Sequence, residues 1–506
     1  MKEAKQGSTG ASRSTTLALG PLMAAVVWLI GPGDTQDIAF MAAIAVWMAV
    51  WWITEAVPLA VTALLPLVAI PITGIAPVQD VAVNYGRPIV FLFLGGFLLA
   101  LGLQISQVHK RIALHIVSAM GSSPPRLILG FMVATWFLSM WVSNTSTTML
   151  MLPIALSVLK TARDQGVANT SKIAVALLLG IAYSANIGGM ATLVGTPPNL
   201  VFHRIFRDLF PEAPAISFLQ WSLLAAPLSV CFLTTGWVLL TRVIFPLPAT
   251  NLLGEKDTLR SLITELGPLR RDEIVAGTIF ALTALLWITG SDFVFGETTL
   301  PGWRGLLGLE GLVDDAVVAV AMAILLFAIP SRDRPGERML EWRHTSEVPW
   351  GLLLIFGGGI ALARNFTTSG LSAWAGRQFE VLTDAPPILL LVSVCILLTL
   401  LTELTSNLAT TDMLLPILAT AAVTLGLDPR LFMIPATLSA SCAFMMPVAT
   451  PPATIIFGSG LVPIKDMVRA GIWFNLLGII LIPLAFLLLG GFVYGVDLLV
   501  MPSWAH

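Results

Sequence analysis

The sequence predicts an all-α polytopic membrane protein, and three observations support that fold class. Of its 506 residues, 56% are hydrophobic and only 11% are charged, against roughly 25% charged in an ordinary soluble domain. Apolar runs of about 18 residues recur from Leu17 to the C-terminus. Two further apolar stretches are interrupted by polar clusters. A chain with this composition takes the bilayer as the solvent for most of its length.

Eleven apolar segments predict the transmembrane helices. The polar residues 1–16 and the first apolar segment predict an N-terminal tail and an uncleaved first span over 1–36, because no small-residue cleavage site follows. Residues 246–273 predict a cytoplasmic linker. The eleven segments are 17–30, 38–53, 59–72, 89–103, 173–201, 223–245, 274–289, 313–329, 350–363, 431–457 and 472–493.

Two long apolar stretches, 127–159 and 388–425, predict a different element. Each is too long for one span and too short for two. The first is interrupted by SNTSTT at 143–148 and the second by TSNLATT at 405–411. This pattern favours re-entrant helical hairpins over 125–160 and 386–425, which require protein or a watery cavity around the tips.

The two halves of the chain repeat each other. The predicted repeats cover 37–245 and 274–498, and each contains a hairpin and a proline-broken helix, at 172–202 and 431–458. An odd number of spans between equivalent points makes the repeat inverted. Three motifs recur in the same order: VFLFLGGFLLALGLQ at 90–104 and LLLIFGGGIALARNF at 352–366, Ser-Asn at 143–144 and 406–407, and Thr-Pro-Pro at 196–198 and 450–452.

The distribution of Lys and Arg predicts the orientation, because cytoplasmic loops carry the excess of positive residues. With the N-terminus in the cytoplasm and the C-terminus outside, twenty of the 27 fall on the cytoplasmic side. The first hairpin then enters from the cytoplasm and the second from outside, as in an inverted repeat. The seven outside residues are Arg87, Arg204, Arg207, Arg304, Arg364, Arg377 and Arg430.

The polar clusters predict a binding site. Proline removes a backbone donor, so GTPPN at 195–199 and ATPPA at 449–453 free carbonyls that join nearby hydroxyls as hard oxygen ligands. Such oxygens suit a small cation such as sodium, while helix N-termini at the tips and breaks attract an anion. One cluster alone would fit helix packing equally well, but two at equivalent positions favour a site for cations and an anion together.

Two acidic residues near the second tip leave alternatives open. Glu403 either braces the tip or takes a direct part in binding an ion or proton. Asp412 begins the return helix, where its carboxylate is expected to interact with the helix dipole.

Several functional classes are not expected. A net charge of -2 argues against a nucleic-acid partner. The five histidines and three cysteines form no cluster in the sequence, so metal catalysis and a histidine acid–base centre are not expected. The glycine runs at 95–96 and 357–359 indicate close helix packing, because no strand or phosphate-binding lysine accompanies them. A membrane enzyme or receptor would need a catalytic constellation or an output domain.

The chain resembles the divalent anion/sodium symporters, a family that includes bacterial and animal dicarboxylate and citrate carriers. The motifs that carry the resemblance are WITEAVP at 52–58, SNT at 143–145, IGGMATLVGTPPN at 187–199, TELTSN at 402–407 and AFMMPVATPP at 443–452. The resemblance implies a homodimer in the plasma (inner) membrane, with a scaffold and an elevator-type transport domain. It also implies sodium as the coupling ion, no other cofactor and no enzymatic activity.

The resemblance implies site residues by motif. The first sodium site would use Ser139, Ser143, Asn144, Gly188 and Gly189, and the second Thr402, Ser406, Asn407 and Ala449. The substrate would contact Ser143, Asn144, Thr145, Ser406, Asn407, Leu408, Thr450 and Pro451.

The expected function is sodium-coupled symport of succinate, malate or fumarate, with citrate as a further candidate. Leu408 stands where many dicarboxylate carriers have threonine, which keeps open a sodium symporter of another anion, such as sulfate. A sodium-independent dicarboxylate exchanger is the other alternative. No Lys or His lies near either tip to replace a cation, which favours sodium coupling.

Overall fold

The protein, described by a computed structural model, is helical apart from one two-stranded β-ribbon in the residues that the structure describes. Those residues are 10–31, 33, 35–121, 123–164, 169–247, 261–295 and 298–505. The predicted tail falls largely outside them, as does the middle of the predicted linker, including Lys256 and Arg260.

The described residues up to 247 fold into helices α1 to α12. A 3-10 turn over Val83–Gly86 precedes α6, and a π-helix over Leu239–Ile244 extends α12. The helices are α1 Gly10–Ile30, α2 Gln36–Thr54, α3 Leu59–Thr62, α4 Leu65–Ile72, α5 Val78–Ala82, α6 Pro88–Ser106, α7 Val108–Met120, α8 Pro124–Ser139, α9 Asn144–Asp164, α10 Thr170–Met190, α11 Pro197–Leu209 and α12 Phe218–Val238.

The chain from residue 271 onwards continues the series. The elements are α13 Arg271–Ile288, β1 Phe293–Phe295, β2 Thr298–Leu300, α14 Trp303–Leu306, α15 Asp315–Ala328, α16 Trp350–Thr368, α17 Leu371–Arg377, α18 Pro387–Thr402, α19 Asn407–Thr424, α20 Arg430–Ala440, α21 Pro451–Gly458 and α22 Ile464–Tyr494. The two strands pair antiparallel, and 3-10 turns cover Trp342–Glu347 and Glu380–Leu382.

The described helices confirm a polytopic membrane protein. Seven are long and apolar enough to cross a bilayer: Gln36–Thr54, Val78–Ser106, Thr170–Met190, Phe218–Ile244, Trp350–Thr368, Asn407–Thr424 and Ile464–Tyr494. Four shorter apolar helices accompany them: Thr15–Ile30, Leu59–Ile72, Asp315–Ala328 and Pro387–Thr402.

Three elements differ from the sequence expectation. The predicted span 59–72 is interrupted between α3 and α4, where the Ala63 carbonyl accepts a hydrogen bond of 2.5 Å from the Tyr85 hydroxyl. Helix α7 was not predicted, because its mixture of polar and apolar residues is not a spanning pattern. The short β-ribbon was not predicted either.

Helices α8–α12 and α18–α22 pack together into what we call the hairpin unit. Helix α10 contacts α8, α9 and α21, while α20 contacts α18 and α19. Contact between α11 and α19 joins the two repeats. Helix α10 is buried from Ile173 to Met190 although its sequence is apolar enough to face lipid, so it forms the centre of this unit.

Helices α1–α6, α13, α15 and α16 form a second group, which we call the frame. Within it α6 packs on α13 and α15, and α16 packs on α2, α3 and α4. The predicted close packing of the glycines in α16 is confirmed. A Cβ added at Gly357 would overlap the Tyr85 ring, and one at Gly358 would overlap the Ala63 carbonyl.

Two arginines that were expected in outer loops are buried instead. Arg204 is 2% exposed and pairs with Asp412, and Arg430 is 4% exposed and pairs with Asp428 at 2.6 Å. Both lie in helices, α11 and α20, where a nearby carboxylate compensates each guanidinium inside the protein. Neither residue therefore indicates the side of a loop.

Another ion pair joins α7 to α13. The Arg111 guanidinium donates to both Glu273 carboxylate oxygens at 3.0–3.1 Å and to the carbonyls of Leu266, Gly267 and Pro268 at 3.1–3.2 Å. The Glu273 side chain is fully buried. This contact fixes the end of the linker against the frame.

Arg111→Ala should lower stability by about 2 kcal/mol, because the buried Glu273 carboxylate loses a guanidinium that donates to both of its oxygens. The Arg270 backbone N–H at 2.8 Å and the Arg270 guanidinium at 3.9 Å remain as its partners. We expect a lower apparent melting temperature for the detergent-purified variant. The matched control is Arg126→Ala, since Arg126 is exposed on the neighbouring helix α8. Equal melting temperatures for the two variants would show that the Arg111 contact does not hold α7 in place.

Candidate functional site

Both hairpin tips have the same hydrogen-bonded pair. The Ser139 hydroxyl, at the end of α8, donates to the Asn144 side-chain oxygen at 2.6 Å. The Thr402 hydroxyl, at the end of α18, lies 2.5 Å from the Asn407 side-chain oxygen. The second pair stands 263 residues after the first, so the repeat places the same chemistry at each tip.

The first broken helix is held by one amide side chain. Helix α10 ends at Met190 and α11 begins at Pro197. The buried Asn199 side-chain nitrogen donates to the Thr192 carbonyl at 2.7 Å and to the Gly189 carbonyl at 3.0 Å. Carbonyls at the end of a helix lack hydrogen-bond donors within the helix. Here the Asn199 side chain is the donor.

The second broken helix is held by a carboxylate instead. Ala453 occupies the position equivalent to Asn199. Glu403, 2% exposed, accepts the backbone N–H groups of residues 444, 445 and 446 at 2.7, 2.9 and 3.0 Å. The Asn475 amide donates to the same carboxylate at 2.7 Å. Of the two roles open to Glu403, these contacts favour the brace.

Asp412 does not act on the helix dipole as expected. It lies in the second turn of α19 and forms a buried ion pair with Arg204 of α11. A carboxylate that far inside the protein requires a direct cationic partner, because desolvation outweighs the weaker attraction of a dipole.

Asn186 connects the two repeats at the site and was missed by the sequence argument. Its side-chain oxygen lies 3.5 Å from the Asn144 amide nitrogen, and its own amide nitrogen lies 3.4 Å from the Thr450 hydroxyl. The available signal was an asparagine in the middle of the apolar segment 173–201.

A cavity of about 480 Å³ lies where the two tips and the two breaks meet, a size typical of small-molecule sites. All eight predicted substrate residues line it: Ser143, Asn144, Thr145, Ser406, Asn407, Leu408, Thr450 and Pro451. Thr196 and Pro197 also line it. They are the repeat equivalents of Thr450 and Pro451, so the sequence repeat was sufficient to predict both as lining residues.

The cavity combines apolar walls with helix N-termini. Helices α9, α11, α19 and α21 begin at Asn144, Pro197, Asn407 and Pro451, and all four residues line the cavity. Among the described lining residues, the exposed Glu347 is the one charged side chain. The positive ends of helix dipoles therefore favour an anion where no basic side chain does.

The predicted residues of the first sodium site meet around a glycine. A Cβ added at Gly189 would lie 2.7 Å from the Asn144 side-chain oxygen, and one at Gly188 would overlap the Trp136 carbonyl. Glycine is thus required for α10 to approach the first tip this closely. Ser143 lies at the tip and lines the cavity.

The predicted residues of the second sodium site meet around a carbonyl. The Thr402 hydroxyl lies 2.8 Å from the Ala440 carbonyl, which was not predicted, while Ser406 and Ala449 line the cavity beside Asn407. Both sets offer neutral hydroxyl, amide and carbonyl oxygens, which hard cations prefer. The described residues contain no group of three His, Cys, Asp or Glu that could hold a metal ion.

Comparison with known proteins identifies the family. A family model described as the sodium:sulfate symporter transmembrane region matches residues 14–496. The chain belongs to this family of divalent anion:sodium symporters. The sodium-dependent dicarboxylate transporter SdcS of Staphylococcus saprophyticus is 39% identical over 489 residues, or 95% of this chain and 92% of that protein. SdcS of Staphylococcus aureus is 40% identical over 505 residues, or 98% and 95% of the two chains.

A solved structure is similar in fold. The YdaH transporter of Alcanivorax borkumensis has a TM-score of 0.52 with this chain at 14% sequence identity, covering 79% of this chain and 86% of that one. The resemblance drawn from the motifs is confirmed at the level of the family. This symporter family member is an integral membrane protein.

Glu403→Gln tests whether Glu403 is a brace. The amide keeps the shape but replaces one acceptor oxygen with a donor, leaving buried N–H groups unsatisfied at about 1–3 kcal/mol each. We expect a lower melting temperature in sodium and in choline alike. Glu347→Gln, an exposed change, should leave the melting temperature unchanged. An unchanged melting temperature with a weaker sodium dependence of ligand binding would assign Glu403 to the ion instead.

Proposed function

We propose that this protein is a sodium-coupled symporter of dicarboxylates such as succinate, malate and fumarate, with citrate at the upper limit of size. The observation that carries the proposal is the cavity in which two asparagine-centred tips meet two broken helices. The relatives named sodium-dependent dicarboxylate transporter support it, since they align over nearly the whole chain.

The substrate carboxylates would bind between the tips. One would lie against Ser143, Asn144 and Thr145, and the other against Ser406, Asn407 and Thr450. Four helix N-termini and these polar groups supply donors, and the described residues that line the cavity include no basic side chain. The second tip is less polar than the first because Leu408 replaces the equivalent of Thr145.

Sodium would provide the positive charge that the described cavity lining lacks. One ion would bind near Ser139, Asn144 and Gly189, and another near Thr402 and Asn407. Asn144 and Asn407 line the cavity, and each would contact both the ion and the anion. Anion affinity should therefore rise with sodium, and sodium affinity with the anion. A dianion entering a negative interior is opposed by roughly 2.3 kcal/mol per charge per 100 mV, so concentrative uptake requires more than two sodium ions.

The transport movement would carry the hairpin unit past the frame in an elevator mechanism, with the frame forming a homodimer. We place the N-terminus in the cytoplasm and the C-terminus outside. In that orientation the loop containing Glu347 is cytoplasmic, and the cavity lining extends to it. The conformation described here would then present the site to the cytoplasm.

Another anion is the second candidate. Leu408 is 6% exposed and lines the cavity, where it removes a hydroxyl from the second tip. A compact tetrahedral anion such as sulfate needs fewer donors than a dicarboxylate, and the matching family model carries sulfate in its description.

Uptake by proteoliposomes distinguishes these functions. Purified protein is tested with radiolabelled succinate under an inward sodium gradient and under an equal potassium gradient, with protein-free vesicles as the control. We expect accumulation with sodium and none with potassium. Uptake that requires only preloaded dicarboxylate would establish an exchanger instead. Sodium-driven uptake of sulfate without succinate would establish the second candidate.

Asn144→Ala and Asn407→Ala test the site residues. Each removes an amide that hydrogen-bonds at a tip, so we expect sodium-driven uptake to fall about tenfold or more, while the elution volume and yield of the protein stay unchanged. The exposed Cys231→Ser variant is the matched control and should keep full uptake. Full uptake in both asparagine variants would rule out this site.

A further inference from the structure

A buried ion pair joins the two repeats close to the cavity. Arg204 lies on α11, seven residues after Pro197, and Asp412 lies on α19, five residues after Asn407. The two side chains are at most 1% exposed. Since α11 follows the first break and α19 follows the second tip, the pair links one half of the site to the other.

The same pair lies directly against the frame. The Arg204 Nη1 atom donates to the Phe356 carbonyl of α16 at 2.7 Å. A Cβ added at Gly359 would lie 2.6 Å from that nitrogen and would also overlap the Asp412 carboxylate. The ion pair can approach α16 this closely because residue 359 has no side chain.

This contact between the repeats has no counterpart at the equivalent positions. The repeat equivalents of Arg204 and Asp412 are Gly458 and Met149, and Met149 is 61% exposed. In an inverted repeat, the two end states of the movement are related by exchanging the conformations of the repeats. A contact between the repeats that has no repeat-related counterpart forms in one end state only, so it stabilises that state over the other.

The pair is also incompletely satisfied. No described residue donates to Asp412 Oδ2 or accepts from Arg204 Nε. Burying an ion pair with open hydrogen-bonding positions is a poor way to stabilise a fold, because desolvation opposes it. A role in positioning accounts for the pair better than a role in stability.

We propose that the Arg204–Asp412 pair, docked on Gly359 and the Phe356 carbonyl, is a latch. It keeps the two half-sites together and favours the conformation in which the cavity extends to the loop at Glu347. The inference rests on the proposed movement of the hairpin unit. Arg204 and Asp412 are positioning residues, since neither lines the cavity.

Cysteine labelling tests the latch without sodium or substrate. In a background with Cys231, Cys395 and Cys442 replaced by alanine, Val194→Cys places one thiol in the cavity lining. A membrane-impermeant maleimide is applied to vesicles of either orientation. The labelling rate from each side then reports the population of each conformation.

Gly359→Ala should lower labelling from the side of the Glu347 loop by about fivefold or more and raise it from the other side. The matched control is Gly351→Ala on the same helix, where a Cβ meets only the Ala60 side chain at 3.3 Å. Unchanged labelling in Gly359→Ala, or an equal shift in the control, would overturn the latch. The latch is also ruled out if the Val194→Cys protein without further changes is not labelled from the side of the Glu347 loop.

A double variant separates positioning from folding. Arg204→Met alone leaves a buried carboxylate unpaired and should reduce the yield of folded protein, whereas Arg204→Met with Asp412→Leu should restore it. The restored protein should show the same labelling shift as Gly359→Ala. If the double variant folds but is labelled like the background protein, the pair has only a structural role. Should succinate uptake fail while the shift is observed, the proposed substrate is wrong and the latch remains.

Discussion

The structure depends on one constraint, which is that backbone groups freed inside the membrane region must find partners within the protein. The two helix breaks satisfy this constraint in opposite ways, one with a side-chain donor and the other with a side-chain acceptor. Asn199 donates to the carbonyls at the end of α10, whereas Glu403 accepts the amides of residues 444–446. With the breaks held open, the N-termini of α9, α11, α19 and α21 can converge on one cavity.

The charge of that cavity follows from the same constraint. Both buried acids near it have structural partners, since Glu403 is occupied by backbone amides and Asp412 by Arg204. The groups left at the tips are neutral hydroxyls, amides and carbonyls. Helix dipoles alone supply partial positive charge worth at most about 2 kcal/mol each. A dianion therefore needs cations beside it, which is the physical origin of the proposed coupling.

Much of the site could be predicted from the sequence because each of its motifs occurs once in each repeat. The Ser-Asn and Thr-Pro-Pro motifs each occur twice, and the residues placed by them line one cavity. Residues that act across the repeats could not be found this way. Asn186 and Arg204 have partners far away in the chain, in Thr450 and Asp412. The break at Ala63 was hidden because its cause is contact with α16 and Tyr85.

The central claim is that sodium completes a neutral site for a divalent anion. The most direct test is calorimetric titration of succinate into the detergent-purified protein at several sodium concentrations, with choline keeping the ionic strength constant. The account predicts that succinate affinity rises steeply with sodium, more than in proportion to its concentration, and that potassium does not substitute. Equal succinate affinity in choline and in sodium would contradict it.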